Sequence, residues 1–215
     1  GNGGCANHSG HAGDLQVLNN QVVVQHGAPS EDANLSFSPG AGDIFFGIDF
    51  SVTSTGAISG GDFEYFAHFK DDGFNFSARL DIVAATSGGD FTVGIASDDS
   101  TADATWATDL TFGNFYRAVV RFDQPNNQAQ LWVDATNESD VSILGDDKAD
   151  PGDTVTQFAL RQSDSSQNET VTVDNLVIGQ TFQDVVTPFT PVPEPSGLLV
   201  LGLFGFAGLA RRRRS

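Results

Sequence analysis

The sequence predicts an all-β, antiparallel two-sheet sandwich, followed by a Pro-rich linker and one short C-terminal transmembrane helix. Three observations predict it. Short runs rich in β-branched and aromatic residues follow one another, separated by Gly, Asp, Asn, Ser and Pro clusters. No helical periodicity of useful length precedes residue 187. An uncharged segment followed by consecutive arginines ends the chain.

The predicted strands are eleven runs of the body, each bounded by turn-forming residues. They are Leu15–Leu18, Gln21–Gln25, Asn34–Phe37, Ile44–Val52, Phe63–Lys70, Phe74–Ala84, Phe91–Ala96, Tyr116–Phe122, Ala129–Asp134, Thr156–Gln162 and Thr170–Ile178.

Many runs alternate, as strands with one buried face do. In residues 62–70 the alternation predicts that one face carries Phe63, Tyr65, Ala67 and Phe69, and the other Glu64, Phe66, His68 and Lys70. Residues 116–134 predict a hairpin with its turn at 124–128, where Pro125 presets φ and Asn126 and Asn127 tolerate positive φ. Its candidate core residues are Phe122, Leu131 and Val133.

The composition excludes several classes of function. The chain has 215 residues, with 28 acidic against 10 basic side chains. Residues 1–186 alone carry 27 acids and 6 bases, a net charge of −21, which repels nucleic-acid backbones and anionic membrane surfaces. The single cysteine, Cys5, excludes an internal disulfide framework and a cysteine-based zinc site.

The chain end has three parts in order. First come Pro193, Glu194 and Pro195, and last come Arg211, Arg212, Arg213 and Arg214. Between them lie the uncharged residues Ser196, Gly197, Leu198, Leu199, Val200, Leu201, Gly202, Leu203, Phe204, Gly205, Phe206, Ala207, Gly208, Leu209 and Ala210. A helix of this length spans roughly 22 Å, and snorkelling arginines and local thinning let it cross a bilayer. The arginines should stay cytoplasmic, with residues 1–192 outside. The alternative is a helix packed on the body, although no polar face favours it.

This order resembles the PEP-CTERM sorting signal. The resemblance implies export in a Gram-negative-type bacterium that makes exopolysaccharide, and recognition of residues 193–195 by a membrane-embedded exosortase that processes the tail. The expected domains are a body at 1–186, a linker at 187–192 and a sorting signal at 193–215. The linker region 187–195 holds four of the eight prolines, which predicts an extended spacer.

The hairpin at 116–134, with the closing runs 158–162 and 170–179, resembles the corresponding strands of laminin-G-like and concanavalin A-like jelly rolls. The body is also similar to bodies that accompany PEP-CTERM tails, in the order of Glu31-Asp32, residues 63–69 and residues 106–112. Compared with them, the chain is expected to lack a signal peptide and a first strand, and Cys5 stands where the family tends to have Trp.

Concanavalin A-like folds include glucanases, so an enzyme is an alternative. Laminarinase-type glycosidases place Glu, Asp and Glu at alternate positions of one strand, with the two outer Glu as nucleophile and acid. Here Asp62 and Glu64 are followed by Phe66, which transfers no proton. The prediction is therefore that the body is not an enzyme. His68 is expected to be a surface or hydrogen-bonded histidine. His8 and His11 are three residues apart and could bind a metal together, but the Gly-rich segment around them does not favour a metal site.

The sequence predicts no cofactor. Its acidic loop residues are interpreted as solubilising charge, and the alternative is a structural calcium site with Asp71, Asp72, Asp98 and Asp99 as candidate ligands in predicted loops. The predicted function is an exported surface or extracellular-matrix protein whose body binds exopolysaccharide. Trp106, Tyr65 and Trp132 are candidates for stacking on sugar rings, with core packing as the alternative. An architectural protein without a ligand is the third hypothesis.

Overall fold

A computed structural model describes residues 15–25, 32–58, 65–146, 154–162 and 169–187. These residues form thirteen strands and one helical turn. The strands are β1 (Gln16–Leu18), β2 (Gln21–Gln25), β3 (Asp32–Ser36), β4 (Asp43–Ser54), β5 (Tyr65–Lys70), β6 (Phe76–Ala84), β7 (Phe91–Ala96), β8 (Ala104–Thr105), β9 (Tyr116–Asp123), β10 (Gln128–Val133), β11 (Ile143–Leu144), β12 (Gln157–Arg161) and β13 (Glu169–Gly179), and the helix is α1 (Phe182–Val185).

The strands make two antiparallel sheets. One sheet has seven strands in the order β1-β2-β13-β4-β9-β10-β11, and the other has six in the order β3-β12-β5-β6-β7-β8. All their strand pairs are antiparallel. The prediction of an all-β two-sheet sandwich is confirmed. The predicted strands match the observed ones to within a few residues. The sequence does not predict β8 and β11, because two residues are too few to show alternation.

Aromatic side chains hold the two sheets together. Phe46 of β4 contacts Phe69 of β5 and Phe158 of β12 edge to face, with both ring-centroid separations at 5.1 Å. Phe50 packs against Phe66 at 5.7 Å. Burial of each such ring stabilises the fold by roughly 1.5–3 kcal/mol, so these contacts across the interface anchor one sheet on the other.

A second, smaller core covers the outer side of the seven-stranded sheet. It is formed by Phe45, Val119, Trp132, Phe182, Val185 and Val186. Thr181 caps α1 in a capping box, in which its side chain accepts from the backbone N–H of Asp184 and the Asp184 carboxylate accepts from that of Thr181. The guanidinium of Arg117 donates to the carbonyl of Val185 at 2.6 Å and to Asp49 at 2.8 Å, which pins α1 to the sheet.

The hairpin of β9 and β10 is confirmed, with Asn127 at φ +50° in its turn. Phe122 and Leu131 are fully buried, and Val133 packs partly buried against the core.

The predicted alternation of β5 is wrong. Pairing with β6 shifts register between Tyr65 and Ala67 and again between Ala67 and Phe69. These irregularities direct Phe66, Ala67 and Phe69 into the main core, while Tyr65 and His68 stay out of it. Nor does β5 have a single buried face, because all six of its residues are buried.

Candidate functional site

The outer face of the six-stranded sheet, which points away from the core, carries a line of alternating cations and aromatic rings. Its members are Lys70 and Tyr65 of β5, Phe76 and Arg79 of β6, and Arg161 of β12, and we call them the cation–aromatic row. Because β5 lies between β12 and β6, the Tyr65 ring stands between two guanidiniums. The register supports this arrangement, since Tyr65 lies opposite Asp81 and Lys70 lies opposite Phe76.

The contacts along the row are those of cation–π pairs. The guanidinium carbons of Arg79 and Arg161 each lie 4.9 Å from the Tyr65 ring centroid. Arg79 also lies 5.5 Å from the Phe76 centroid, and Lys70 Nζ lies 5.9 Å from it. The two rings therefore lie within cation–π distance of all three cations.

The Arg79 guanidinium is bound by rings instead of carboxylates. It makes no hydrogen bond or ion pair with the residues that the structure describes, and its Nε is buried without an acceptor. Burial lowers its pKa, opposed by nearby Tyr65, Asp81 and Asp98. It nevertheless remains charged, because arginine is protonated in proteins.

His68 lies beside these rings and is completely buried. Its ring centroid is 5.4 Å from that of Tyr65 and 4.7 Å from that of Phe76. Nδ1 lies 3.0 Å from the carbonyl oxygen of Phe69, and because a carbonyl only accepts, Nδ1 carries the proton. Nε2 has no partner among the described residues. The expected surface or hydrogen-bonded histidine is thus a buried one with half of its hydrogen-bonding capacity used.

Burial also controls the titration of this face. Loss of solvation lowers the pKa of His68 to about 3, so the ring is neutral at physiological pH. Burial raises the pKa of Tyr65, with the positive charges of Arg161 and Arg79 acting against it. The side chain of Tyr65 is therefore an uncharged phenol under the two guanidiniums.

A second candidate site is an open cleft of about 520 Å³ beside Trp106. Its other lining residues are Val133, Asp134, Ala135, Ser139, Asp140 and Val141. The Trp106 side chain is partly exposed, and its indole N–H has no hydrogen-bond partner among the described residues. Val141 is 76% exposed. The backbone amides of Thr136 and Asn137 donate to the Asp140 carboxylate, at 2.8 and 2.9 Å, which shapes the loop. An aromatic face with hydroxyl and carboxylate neighbours is suited to a sugar ring.

The three candidates for stacking on sugar rings differ in exposure and in what surrounds them. Trp106 lines the cleft, whereas Tyr65 is 1% exposed and covered by guanidiniums. Trp132 is also 1% exposed, packs against Phe182 at 5.2 Å and donates its indole N–H to the carbonyl of Glu138. Core packing, the stated alternative, therefore holds for Trp132.

The candidate calcium ligands lie in two separate loops. Asp71 accepts from the backbone N–H of Gly73 at 2.7 Å, and Asp72 accepts from the hydroxyl of Thr156 at 2.8 Å. Asp98 and Asp99 follow β7 and have interactions of their own. Across the described ranges, no three His, Cys, Asp or Glu side chains are grouped so that they could hold a metal ion.

The remaining predicted site residues lie outside the described residues. They are His8 and His11, Asp62 and Glu64, and the whole of 193–215. No helix in the part of the chain that the structure describes is long and apolar enough to cross a membrane. The sequence did not predict the roles of Phe76, Arg79 and Arg161. The scarcity of bases in 1–186 was the signal that could have drawn attention to these two arginines.

Several solved structures resemble this sandwich. The cellulose-induced protein Cip1 is 17% identical, with 82% of this chain and 83% of Cip1 covered and a TM-score of 0.46. The Emp47p carbohydrate recognition domain is 10% identical, with 77% and 85% covered and a TM-score of 0.49. Lectin II from Ulex europaeus is 13% identical, with 77% and 88% covered and a TM-score of 0.46. These likenesses concern the fold alone, and all three TM-scores lie below 0.5.

No curated protein matches the chain. The tail does match a family. Residues 191–214 match the family model described as the PEP-CTERM protein-sorting motif, which confirms the sequence resemblance and gives the chain an export and sorting signal at its C-terminal end.

Proposed function

We propose that this protein is an exported polysaccharide-binding protein of the cell surface or extracellular matrix, and that its body binds without catalysing a reaction. The observation that carries the proposal is the Trp106 cleft, on a chain with a PEP-CTERM motif. A partly exposed indole beside Ser139 and Asp134 offers one apolar surface and several hydrogen-bonding groups to a sugar ring. The exopolysaccharide of the producing cell is the proposed ligand.

In this proposal the tail directs the export of the protein. An exosortase-type membrane enzyme recognises residues 193–195, residues 196–210 hold the chain in the inner membrane, and Arg211–Arg214 stay in the cytoplasm. The linker 187–192 then spaces the body from the membrane surface. Processing releases the body to the cell surface or matrix.

Phe66 supports a role without catalysis. The laminarinase-type arrangement needs a third carboxylate at position 66, on the face that meets the substrate. Phe66 instead lies in the core and packs against Phe50 of the opposite sheet. A reducing-sugar assay of the full chain on the exopolysaccharide should therefore show no release of chain ends. Release of chain ends would establish the enzyme alternative.

Affinity electrophoresis of the full chain through gels containing the exopolysaccharide tests the cleft. The Trp106→Ala variant should lose about fivefold in affinity, because aromatic stacking contributes roughly 1 kcal/mol. Phe74→Ala is the matched control, since Phe74 is 91% exposed and lines neither candidate site. If the polysaccharide does not slow the wild-type protein, the body does not bind it, and the hypothesis of an architectural protein without a ligand is favoured. Equal losses in both variants would remove the cleft from the proposal.

A further inference from the structure

We propose that the cation–aromatic row is a second binding site, separate from the Trp106 cleft, and that it takes the carboxylate or sulfate groups of an acidic polysaccharide. The juxtaposition behind this proposal is that of Lys70, Arg79 and Arg161 around the rings of Tyr65 and Phe76. The proposal does not depend on the cleft, because different strands and a different chemistry carry it.

The distribution of the bases is the first argument. Residues 1–186 have only six bases, and three of them belong to this row. On the seven-stranded sheet, Arg117 pairs with Asp49 at 2.8 Å, and Arg121 pairs with Asp43 at 2.9 Å and Asp123 at 3.0 Å. Those two arginines have carboxylate partners, as half-buried cations in an acidic protein normally do.

Arg79 and Lys70 differ from them. Neither makes an ion pair with a described residue, although Lys70 is only 9% exposed and Arg79 is half-buried. Removing a guanidinium from water without replacing its hydrogen bonds is costly. An anionic group bound at the outer edge of Arg79 would supply those bonds. The fully buried Nε2 of His68, which has no partner among the described residues, is a second polar group of this kind on the same face.

The geometry favours an anionic ligand over a neutral sugar. The Tyr65 ring stands between two guanidiniums and is 1% exposed, so it offers no face for stacking. The row instead presents N–H donors, and a guanidinium binds a carboxylate or sulfate through two parallel hydrogen bonds. Arg79 and Arg161 come from the two strands that flank β5, so their guanidiniums lie on either side of the Tyr65 ring. A chain laid across the strands would meet both.

Carboxylates on this face limit the strength of the site. Asp32 and Asp81 act on Tyr65, Asp81 and Asp98 act on Arg79, and all three make interactions of their own. Among the described residues, these three carboxylates oppose the three cations of the row. We therefore expect recognition through short-range hydrogen bonds, and an affinity that falls as salt screens them.

Calorimetric titration of the full chain tests the row, with polygalacturonate, dextran sulfate and neutral dextran as probes. We expect binding of one or both acidic polymers and none of neutral dextran. The Arg79→Gln variant should lose about tenfold in affinity, and Arg79→Lys should lose affinity too, because an ammonium cannot reproduce the paired donors. Lys70→Gln is a second variant expected to change in the same direction.

Arg121→Gln is the matched control, because it removes the same charge from the other sheet. It should bind the acidic polymer like the wild type, and so should Trp106→Ala, which separates the row from the cleft. Thermal melting checks that each variant is folded. The row is not the site if neither acidic polymer binds or if Arg121→Gln loses as much affinity as Arg79→Gln. Equal affinity for single-stranded DNA would overturn the assignment to polysaccharide.

Discussion

His68 shows how one residue of this face depends on its surroundings. A histidine in water titrates near pH 6.5, but this one is fully enclosed, and burial lowers its pKa to about 3. The hydrogen bond from Nδ1 to the carbonyl of Phe69 acts in the opposite direction, and burial outweighs it. The nearby charges of Arg79, Arg161 and Lys70 lower the pKa further.

This shift makes the stability of the fold depend on pH. The unfolded chain takes up a proton near pH 6.5, whereas the folded ring stays neutral down to about pH 3. Above pH 6.5 the ring is neutral in both states, so His68 does not lower the free energy of unfolding. As the pH falls from 6.5 toward 3, protonation of the unfolded chain lowers that free energy by roughly 1.4 kcal/mol per pH unit. The His68→Gln variant keeps an N–H donor and does not titrate. Its free energy of unfolding, measured by urea denaturation at pH 7, 6, 5 and 4, should fall less steeply than that of the wild type. Parallel curves would contradict the buried, neutral ring.

At the scale of elements, α1 depends on a close approach that only glycine permits. A Cβ atom at Gly47 would meet the backbone carbonyl oxygen of Val185, and it would lie 2.6 Å from the Arg117 guanidinium. The same carbonyl is the acceptor by which Arg117 holds the turn. Residue 47 of β4 therefore sets how closely the end of the described chain can dock on the seven-stranded sheet.

The Gly47→Ala variant should accordingly be destabilised by about 1–3 kcal/mol, because the backbone of Val185 has to shift and the small core around Trp132 loosens. Gly56→Ala is the matched control, since a Cβ atom there would meet nothing within 4 Å. It should change stability by less than about 0.5 kcal/mol. Urea denaturation followed by Trp fluorescence compares the two. A similar loss in both variants would show that the approach of Val185 is not the cause.

Among the elements, long alternating runs were predictable and short or irregular ones were not. The eleven predicted strands follow from residue type and spacing, because half-buried strands need that pattern. The faces of β5 did not follow, since two register shifts separate Tyr65 from the face of Ala67 and Phe69. The single turn of α1 has a local signal in Thr181 and Asp184, the capping box, but no periodicity.

At the scale of the whole molecule, charge separates the body from its tail. Residues 1–186 are strongly acidic, while the last basic cluster lies within the match to the PEP-CTERM motif. An acidic body suits release into the medium, and the arginine cluster suits retention at the inner face of a membrane. Processing between the two would change the location of the body without altering its fold.

Intact mass spectrometry of the protein from producing cells tests that processing, with membrane and medium analysed separately. The form in the medium should end near Pro193–Pro195 and lack Arg211–Arg214. This is the expected outcome if the tail is recognised and removed. A single membrane-bound form that retains all four arginines would make the tail a permanent anchor and contradict the processing proposal.

The sandwich, the β9–β10 hairpin, the acidic body and the sorting tail could all be predicted from the order of the residues. Each of these features has a signal among residues that are close together in the chain: alternation, turn-forming residues, charge or a contiguous motif. The burial of Trp132, the position of Trp106 in a cleft, and the placement of Arg79 and Arg161 on either side of Tyr65 depend on the packed fold. Strand order and bulges bring those residues together from positions far apart in the chain. No local pattern encodes such neighbours, because the pairing of distant strands sets which side chains share a face.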